Sequence, residues 1–346
     1  MPRRIAEAER DEVTGRVLYL DALRVLASMG VVIVHALGPF RDRIGEIPDW
    51  QWATAISLNV GNRWPVPVFI MITGSLLLSD RRPFDPAYYA RRRVLKVLLP
   101  FVAWSVLYGV FAGVSLEGFS SARSVETLTR ASSSPTYYHL AFFYYFIPLY
   151  FVAPVLRRFV QDAPALFHQA LLLVWLTATA AYLFYLKGPW DNQYFLFSGF
   201  LLLGFILHRL PVVPLAPVCL VALLALGWTE TSLLDASFEA ERYRYGRWLS
   251  YKTLNTVVVA SAVFLLCKQL AERMPVRWRM AVVETAPHSL GIYLLHPIFL
   301  WPAREIGTVF ENPVIAIPIW TVFAWTMAFL TSRRLSRSPA TRWLVP

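Results

Sequence analysis

Arg24 and His35 are the two residues of this chain whose types and spacing most directly suggest chemistry. Both lie in the apolar run 17–37, eleven positions apart. At 3.6 residues per turn that separation is close to three turns. The two side chains then share one helix face, roughly 16 Å apart along the axis. Asp21 and Ser28 stand at i−3 and i+4 from Arg24 and continue the same stripe. An ionisable residue inside a membrane-length apolar run is costly and marks a functional site by default. A histidine titrates near neutrality and can serve as a general base or as a transient acyl carrier. A guanidinium suits phosphate through paired, charge-assisted hydrogen bonds. Asp21 and Arg24 are equally readable as an ion pair at a helix start, with Arg24 snorkelling to the surface.

Positioning such a stripe needs a membrane helix bundle, and the composition supplies one. Of 346 residues, 57% are apolar and 16% charged, against about 25% charged in soluble domains. A hydrocarbon core about 30 Å thick takes about 20 apolar residues to cross as a helix. Runs that meet or approach this length stand at roughly 17–37, 58–78, 94–114, 139–156, 167–186, 194–209, 212–228, 254–270, 289–303 and 313–331. They are too long and too uniformly apolar for barrel strands. The expected fold is therefore all-α, a polytopic membrane bundle of about ten transmembrane helices. Lys and Arg concentrate in alternate connections, including 1–16, 79–93, 268–288 and 332–346. The positive-inside rule puts these in the cytoplasm, so both termini are expected there, 1–16 and 332–346 as tails. The first run lacks a small-residue cleavage site and reads as a retained span. The stretches 38–57, 115–138, 229–253 and 271–288 are too short for a separate domain, so the chain reads as one membrane domain over 1–346.

The net charge of +11 follows this topology and is not a sign of nucleic-acid binding. Cys219 and Cys267 both sit in apolar runs and make neither a disulfide framework nor a metal spacing. Arg91, Arg92 and Arg93 precede the third span. Successive helical residues cannot face one way, and Arg92 is the weakest ligand candidate of the three. His139 starts the fourth span on the side of His35, either to meet a substrate or to anchor the interface. Tyr293 and Ser289 share a face with His296, at i−3 and i−7, and either line a central cavity or serve helix packing. The aromatic stretch from Tyr137 to Phe146 reads as an interfacial belt or as a stacking platform for sugars. His168, His208 and His288 fall at expected cytoplasmic ends and receive no role.

An Arg, ten residues and a His in the first span resemble the signature of the acyltransferase-3 family of integral membrane O-acyltransferases. The likeness continues in order along the chain. Pro67 to Leu77 resembles the family's second-helix pattern, and Arg91–Arg93 with Pro100-Phe101 resembles its basic third-helix approach. Tyr138-His139-Leu140 through Leu156 is similar to the fourth span, and Ser289 to His296 to the ninth. Departures stand at Thr73 and Ala141, and they leave the first-helix pair untouched. The nearest group is the enterobacterial common antigen and exopolysaccharide O-acetyltransferases.

The resemblance implies an enzyme of the bacterial inner membrane, with no tightly bound cofactor and no metal. It would move an acyl group from cytoplasmic acyl-CoA, expected to be acetyl-CoA, to a hydroxyl of a cell-surface sugar or lipid-linked glycan. It implies His35 and Arg24 as catalytic residues. Arg24, Arg91 and Arg93 are the candidates for holding the donor nucleotide; His139, Tyr293 and His296 are the candidates for touching the acceptor. The stretch 229–253 is the largest outer segment for acceptor recognition. A carrier of a glycan or lipid-linked sugar is the alternative, because buried Arg, Asp and His also mark transport pathways.

Overall fold

A computed structural model describes residues 17–307 and 310–346. The expected N-tail 1–16 lies outside the described residues. Thirteen α-helices and one short hairpin run through the described residues. They are α1 Leu18–Ala36, α2 Asp49–Gly61, α3 Pro65–Leu77 and α4 Pro86–Phe111, then the strands β1 Val114–Ser115 and β2 Gly118–Phe119, paired antiparallel. Next come α5 Ser121–Thr129, α6 Ala141–Val160, α7 Ala165–Leu183 and α8 Gln193–Arg209. The chain closes with α9 Leu215–Glu239, α10 Leu254–Leu270, α11 Val276–Thr285, α12 Ser289–Glu305 and α13 Pro313–Ser336. It is an all-α polytopic bundle, with a helix at each of the ten expected spans.

Seven of those ten, α1, α4, α6, α7, α9, α10 and α13, lie in stretches long and apolar enough to cross a bilayer. The other three, α3, α8 and α12, have 13, 17 and 17 residues, roughly 20 to 25 Å at 1.5 Å per residue. Their burial accounts for this: most residues of α3, α8 and α12 are enclosed by neighbouring helices. A helix walled by protein need not match the lipid thickness. The lipid-facing role falls to α7 and α9, which expose Leu173, Val174, Leu220, Leu223 and Leu224.

The expected span 58–78 is not continuous. The helix breaks between Gly61 and Pro65: Asn62 leaves the helical region at φ -116° and ψ 33°, and Pro65, which has no N–H to donate into a preceding turn, opens the next helix at its first position. The upstream piece, α2, takes in 49–57 of the stretch 38–57, which the sequence placed outside the spans. The stretch 229–253 is also shorter as a loop than the sequence suggested, because α9 runs on to Glu239. Its last turns are held by polar contacts: Thr229 accepts from Asn255 at 2.8 Å, Glu230 accepts from Ser57, and Leu233 and Ser237 are buried. The segment 332–346 is not a free tail. α13 continues to Ser336, Val345 is buried, and the Leu344 carbonyl accepts from the Trp104 indole at 2.9 Å.

Helix ends sort to two opposite faces of the bundle. At one face, Lys268 near the end of α10 donates to the carbonyls of Leu207, His208 and Leu210 at 2.8, 2.7 and 2.5 Å. There too Tyr19 at the start of α1 bonds His208 at the end of α8, and His288 before α12 meets Ser332 near the end of α13. At the other face, Arg304 at the end of α12 lies against Gly38 just after α1. This alternation is what ten crossings require. The first face carries the basic connections, the composition that the positive-inside rule expects of a cytoplasmic face.

α3 and α8 pack backbone against backbone. A Cβ on Gly74 would come within 2.1 Å of the Leu201 carbonyl oxygen, and one on Gly204 within 2.0 Å of the Met71 carbonyl oxygen. Small residues let backbones approach where lipid offers no hydrophobic drive between helices. The contact holds α3 by the face opposite Phe69, Ile72, Thr73 and Leu76, which line a cavity described next.

Candidate active site

α1 carries Arg24 near its cytoplasmic start and His35 one residue before its end, and the two reach different cavities. Arg24 Nη1 pairs with Asp21 Oδ1 at 2.5 Å, and the Asp21 side chain is 5% exposed. Arg24 also lines a middle cavity of about 200 Å³, with Phe69, Thr73, Arg93, Tyr150 and Ser289 among its walls. His35 lines a smaller cavity of about 60 Å³ nearer the outer face, with Asn62, His139, Tyr145 and Tyr251. Phe142 and Tyr293 belong to the walls of both. They are the partition between a guanidinium-lined chamber and an imidazole-lined one. Ser28 leaves the stripe: its hydroxyl accepts from the Trp325 indole of α13 at 2.9 Å, a packing bond.

A third cavity of about 300 Å³ opens at the cytoplasmic face, lined by Asp80, Arg82, Tyr88, Tyr89, Arg93 and Arg157 among others. Leu77 and Arg93 are common to it and to the middle cavity. The three spaces thus follow one another from the basic face to His35. The position of Arg93 has a local cause. Residues Ala90–Val94 form a single wide turn inside α4, a distortion frequent at functional sites. Around it Arg91 and Arg92 are exposed and line none of these cavities, while Arg93 is half-buried and lines two. Asp80 bonds Arg82 at 2.6 Å. The hydrogen bonds from Arg82 hold the Asp80 carboxyl down at about 2. Its charge, and the anchoring it gives Arg82, persist above the ordinary carboxylate range and are lost only as pH falls towards 2.

Around His35 the bundle gathers three histidines. The His35 ring stacks on Tyr138 with centroids 4.7 Å apart and lies 5.1 Å from the His296 ring, which is 5.5 Å from that of His139. His296 Nδ1 stands 3.2 Å from the Ile292 carbonyl, the geometry of a donor, which leaves Nε2 as the unprotonated nitrogen. That Nε2 and both ring nitrogens of His139 are buried with no protein partner among the described residues. The Tyr293 hydroxyl donates to the His139 carbonyl at 2.5 Å and ties α12 to the start of α6. Tyr293→Phe leaves that buried carbonyl without its partner. It is expected to cost about 1–3 kcal/mol of stability, read as a lower melting temperature in detergent.

The sequence-expected residues divide accordingly. His35, His139, His296 and Tyr293 come together, Arg24 and Arg93 share the middle cavity, and Arg91 stands apart. Sequence reasoning passed over Arg82 and Arg157, which counted only as topology charges. It also passed over Tyr138, absorbed in the aromatic belt, and over Asn62 and Tyr251. The signals available for Tyr138 were its place in the Tyr138-His139-Leu140 motif and in the aromatic stretch.

A multi-pass membrane bundle with a histidine cavity backed by an arginine-lined path defines a class, and comparison with known proteins gives its family. The sequence model described as an acyltransferase domain matches residues 17–333, so the chain belongs to the acyltransferase-3 family. It is a multi-pass membrane acyltransferase. Comparisons with curated proteins and with solved structures gave no match.

Proposed function

We propose that the protein is an O-acetyltransferase of the bacterial inner membrane. It takes acetyl from cytoplasmic acetyl-CoA and places it on a hydroxyl of an extracytoplasmic glycan. The nucleotide phosphates bind Arg82, Arg93 and Arg157 at the cytoplasmic cavity. The pantetheine arm lies in the middle cavity past Arg24, and the thioester passes the Phe142–Tyr293 partition to His35. His35 accepts the proton of the sugar hydroxyl as its oxygen attacks the thioester carbon. The C–S bond breaks, the CoA thiolate leaves towards the cytoplasm, and the proton on His35 returns to solvent. In the covalent variant the imidazole takes the acetyl first and then yields it to the hydroxyl. Either route uses an unprotonated imidazole, and each step balances without a metal or a redox partner.

The observation that carries this reading is the serial arrangement of cavities, with arginines at one end, His35 at the other and two shared aromatic side chains between them. The small volume around His35, about 60 Å³, favours a short acyl group over a long chain. Family membership supports acyl transfer over carriage of the sugar. The test is to delete the gene and quantify O-acetyl resonances of the isolated surface polysaccharides by NMR. One set of resonances is expected to disappear and to return with the wild-type chain. Unchanged O-acetylation overturns the proposal.

A further inference from the structure

Two arginines, Arg63 and Arg304, stand beside the histidine cavity without lining it, Arg63 at the edge of a separate small cavity with Thr229 and Asn255, and no described carboxylate pairs with either. Arg304, exposed at the end of α12, holds its guanidinium carbon 4.0 Å from the centre of the Tyr138 ring. His35 stacks on that same ring at 4.7 Å. Arg63, half-buried in the break between α2 and α3, donates from Nη1 to the Tyr251 hydroxyl at 3.1 Å. Its guanidinium carbon lies 5.2 Å from the Tyr251 ring centre and 5.6 Å from that of Tyr245. Tyr251 and the neighbouring Asn62 both line the histidine cavity.

Arg41, Arg43, Arg130 and Arg247 of the outer face pair with Asp42, Glu46, Glu126 and Asp191; Arg123, Arg242 and Arg244 do not, but they make none of the ring contacts that place Arg63 and Arg304 beside the cavity. Arg63 and Arg304 form no ion pair with any described carboxylate, not even Arg304 with the adjacent Glu305, and Arg63 Nε is buried without a partner. A partly buried cation without a counter-ion is unfavourable, and a bound anion relieves it. Flat tyrosine rings beside the guanidinium groups offer a surface for the face of a sugar ring.

We infer that the acceptor is an acidic saccharide, one that presents a carboxylate or phosphate to Arg63 and Arg304 while its hydroxyl meets His35. This rests on the acyl-transfer reading and adds the chemical class of the acceptor. The full chain in lipid nanodiscs is titrated with methyl β-glucuronide, glucose 1-phosphate and methyl β-glucoside, with binding read by saturation-transfer NMR. At least one anionic ligand is expected to bind tenfold or more tightly than the neutral glycoside. The preferred anion tells whether a uronic acid or a sugar phosphate is the native feature. Arg63→Gln and Arg304→Gln are each expected to weaken that binding at least fivefold. Arg63→Lys and Arg304→Lys should restore part of it, which a merely structural role for either arginine would not produce. Acetyl-CoA affinity and melting temperature serve as the donor-side and folding readouts.

Equal affinity for the neutral and anionic ligands, no anion binding at millimolar concentration, or indifference to both Gln variants overturns the inference. Failure of the acyl-transfer reading looks different: the anionic ligand still binds in an arginine-dependent way, while acetyl-CoA does not bind at all.

Discussion

Replacing His35 with alanine is expected to lower acetyl transfer by a factor of about 10² to 10⁴, the usual contribution of a positioned acid or base, with the folded state and acetyl-CoA binding retained. The expectation follows from where the ring sits. It lines the small outer cavity and is held by stacking on Tyr138. Of the three rings only that of His35 is partly exposed; the His139 ring lines the same cavity with both nitrogens unpartnered among the described residues, but it is buried, as is that of His296. The His139 carbonyl carries the Tyr293 hydrogen bond, and His296 spends Nδ1 on its own helix at Ile292. His139→Ala and His296→Ala are therefore expected to fall short of the His35 effect and to lower stability as well. The measurement is the initial rate of label transfer from [¹⁴C]acetyl-CoA in membranes, with melting temperature followed in parallel. An alanine variant retaining more than a tenth of the wild-type rate removes His35 from the chemistry. The same assay separates the two routes: a covalent carrier releases one CoA per enzyme before any acceptor is added, and a general base releases none.

Much of this arrangement was legible in the sequence because apolar length and helical period are local properties. The ten runs locate ten of the thirteen helices, and the eleven-residue spacing placed Arg24 and His35 on a common side of α1. What could not be read is set by tertiary contacts. Ser28 has the right phase for the stripe, yet it is taken by Trp325, a residue 297 positions away. The run 58–78 looked like one span because its apolar content is even, while Pro65 and the burial of α3 decide that it is a short interior helix behind a break. The end of α9 looked like loop because it is polar, but two of its polar residues, Glu230 and Thr229, are met by Ser57 and Asn255. The three arginines before α4 could not be ranked by period, since the wide turn at Ala90–Val94 changes the phase locally.

That ranking gives the second large effect: Arg93→Ala is expected to raise the KM for acetyl-CoA about 10- to 100-fold with little change in kcat. Two features single out Arg93. It is the arginine shared by the cytoplasmic and middle cavities, and it makes no ion pair with a described carboxylate. Arg24, by contrast, is already compensated by Asp21 at 2.5 Å, and Arg82 by Asp80 at 2.6 Å. A hydrogen bond to a charged group contributes about 1.5–3 kcal/mol, and each 1.4 kcal/mol is a factor of ten in affinity. Arg93→Lys keeps the charge but loses the planar fork, so an intermediate KM is expected. Arg91, exposed and outside all three cavities, is expected to shift KM far less than Arg93 does. Steady-state kinetics with varied acetyl-CoA decides the matter. A flat response to Arg93→Ala, or a larger one to Arg91→Ala, means that the donor does not travel past this turn of α4, and the serial path would have to be replaced by one reaching His35 from another side.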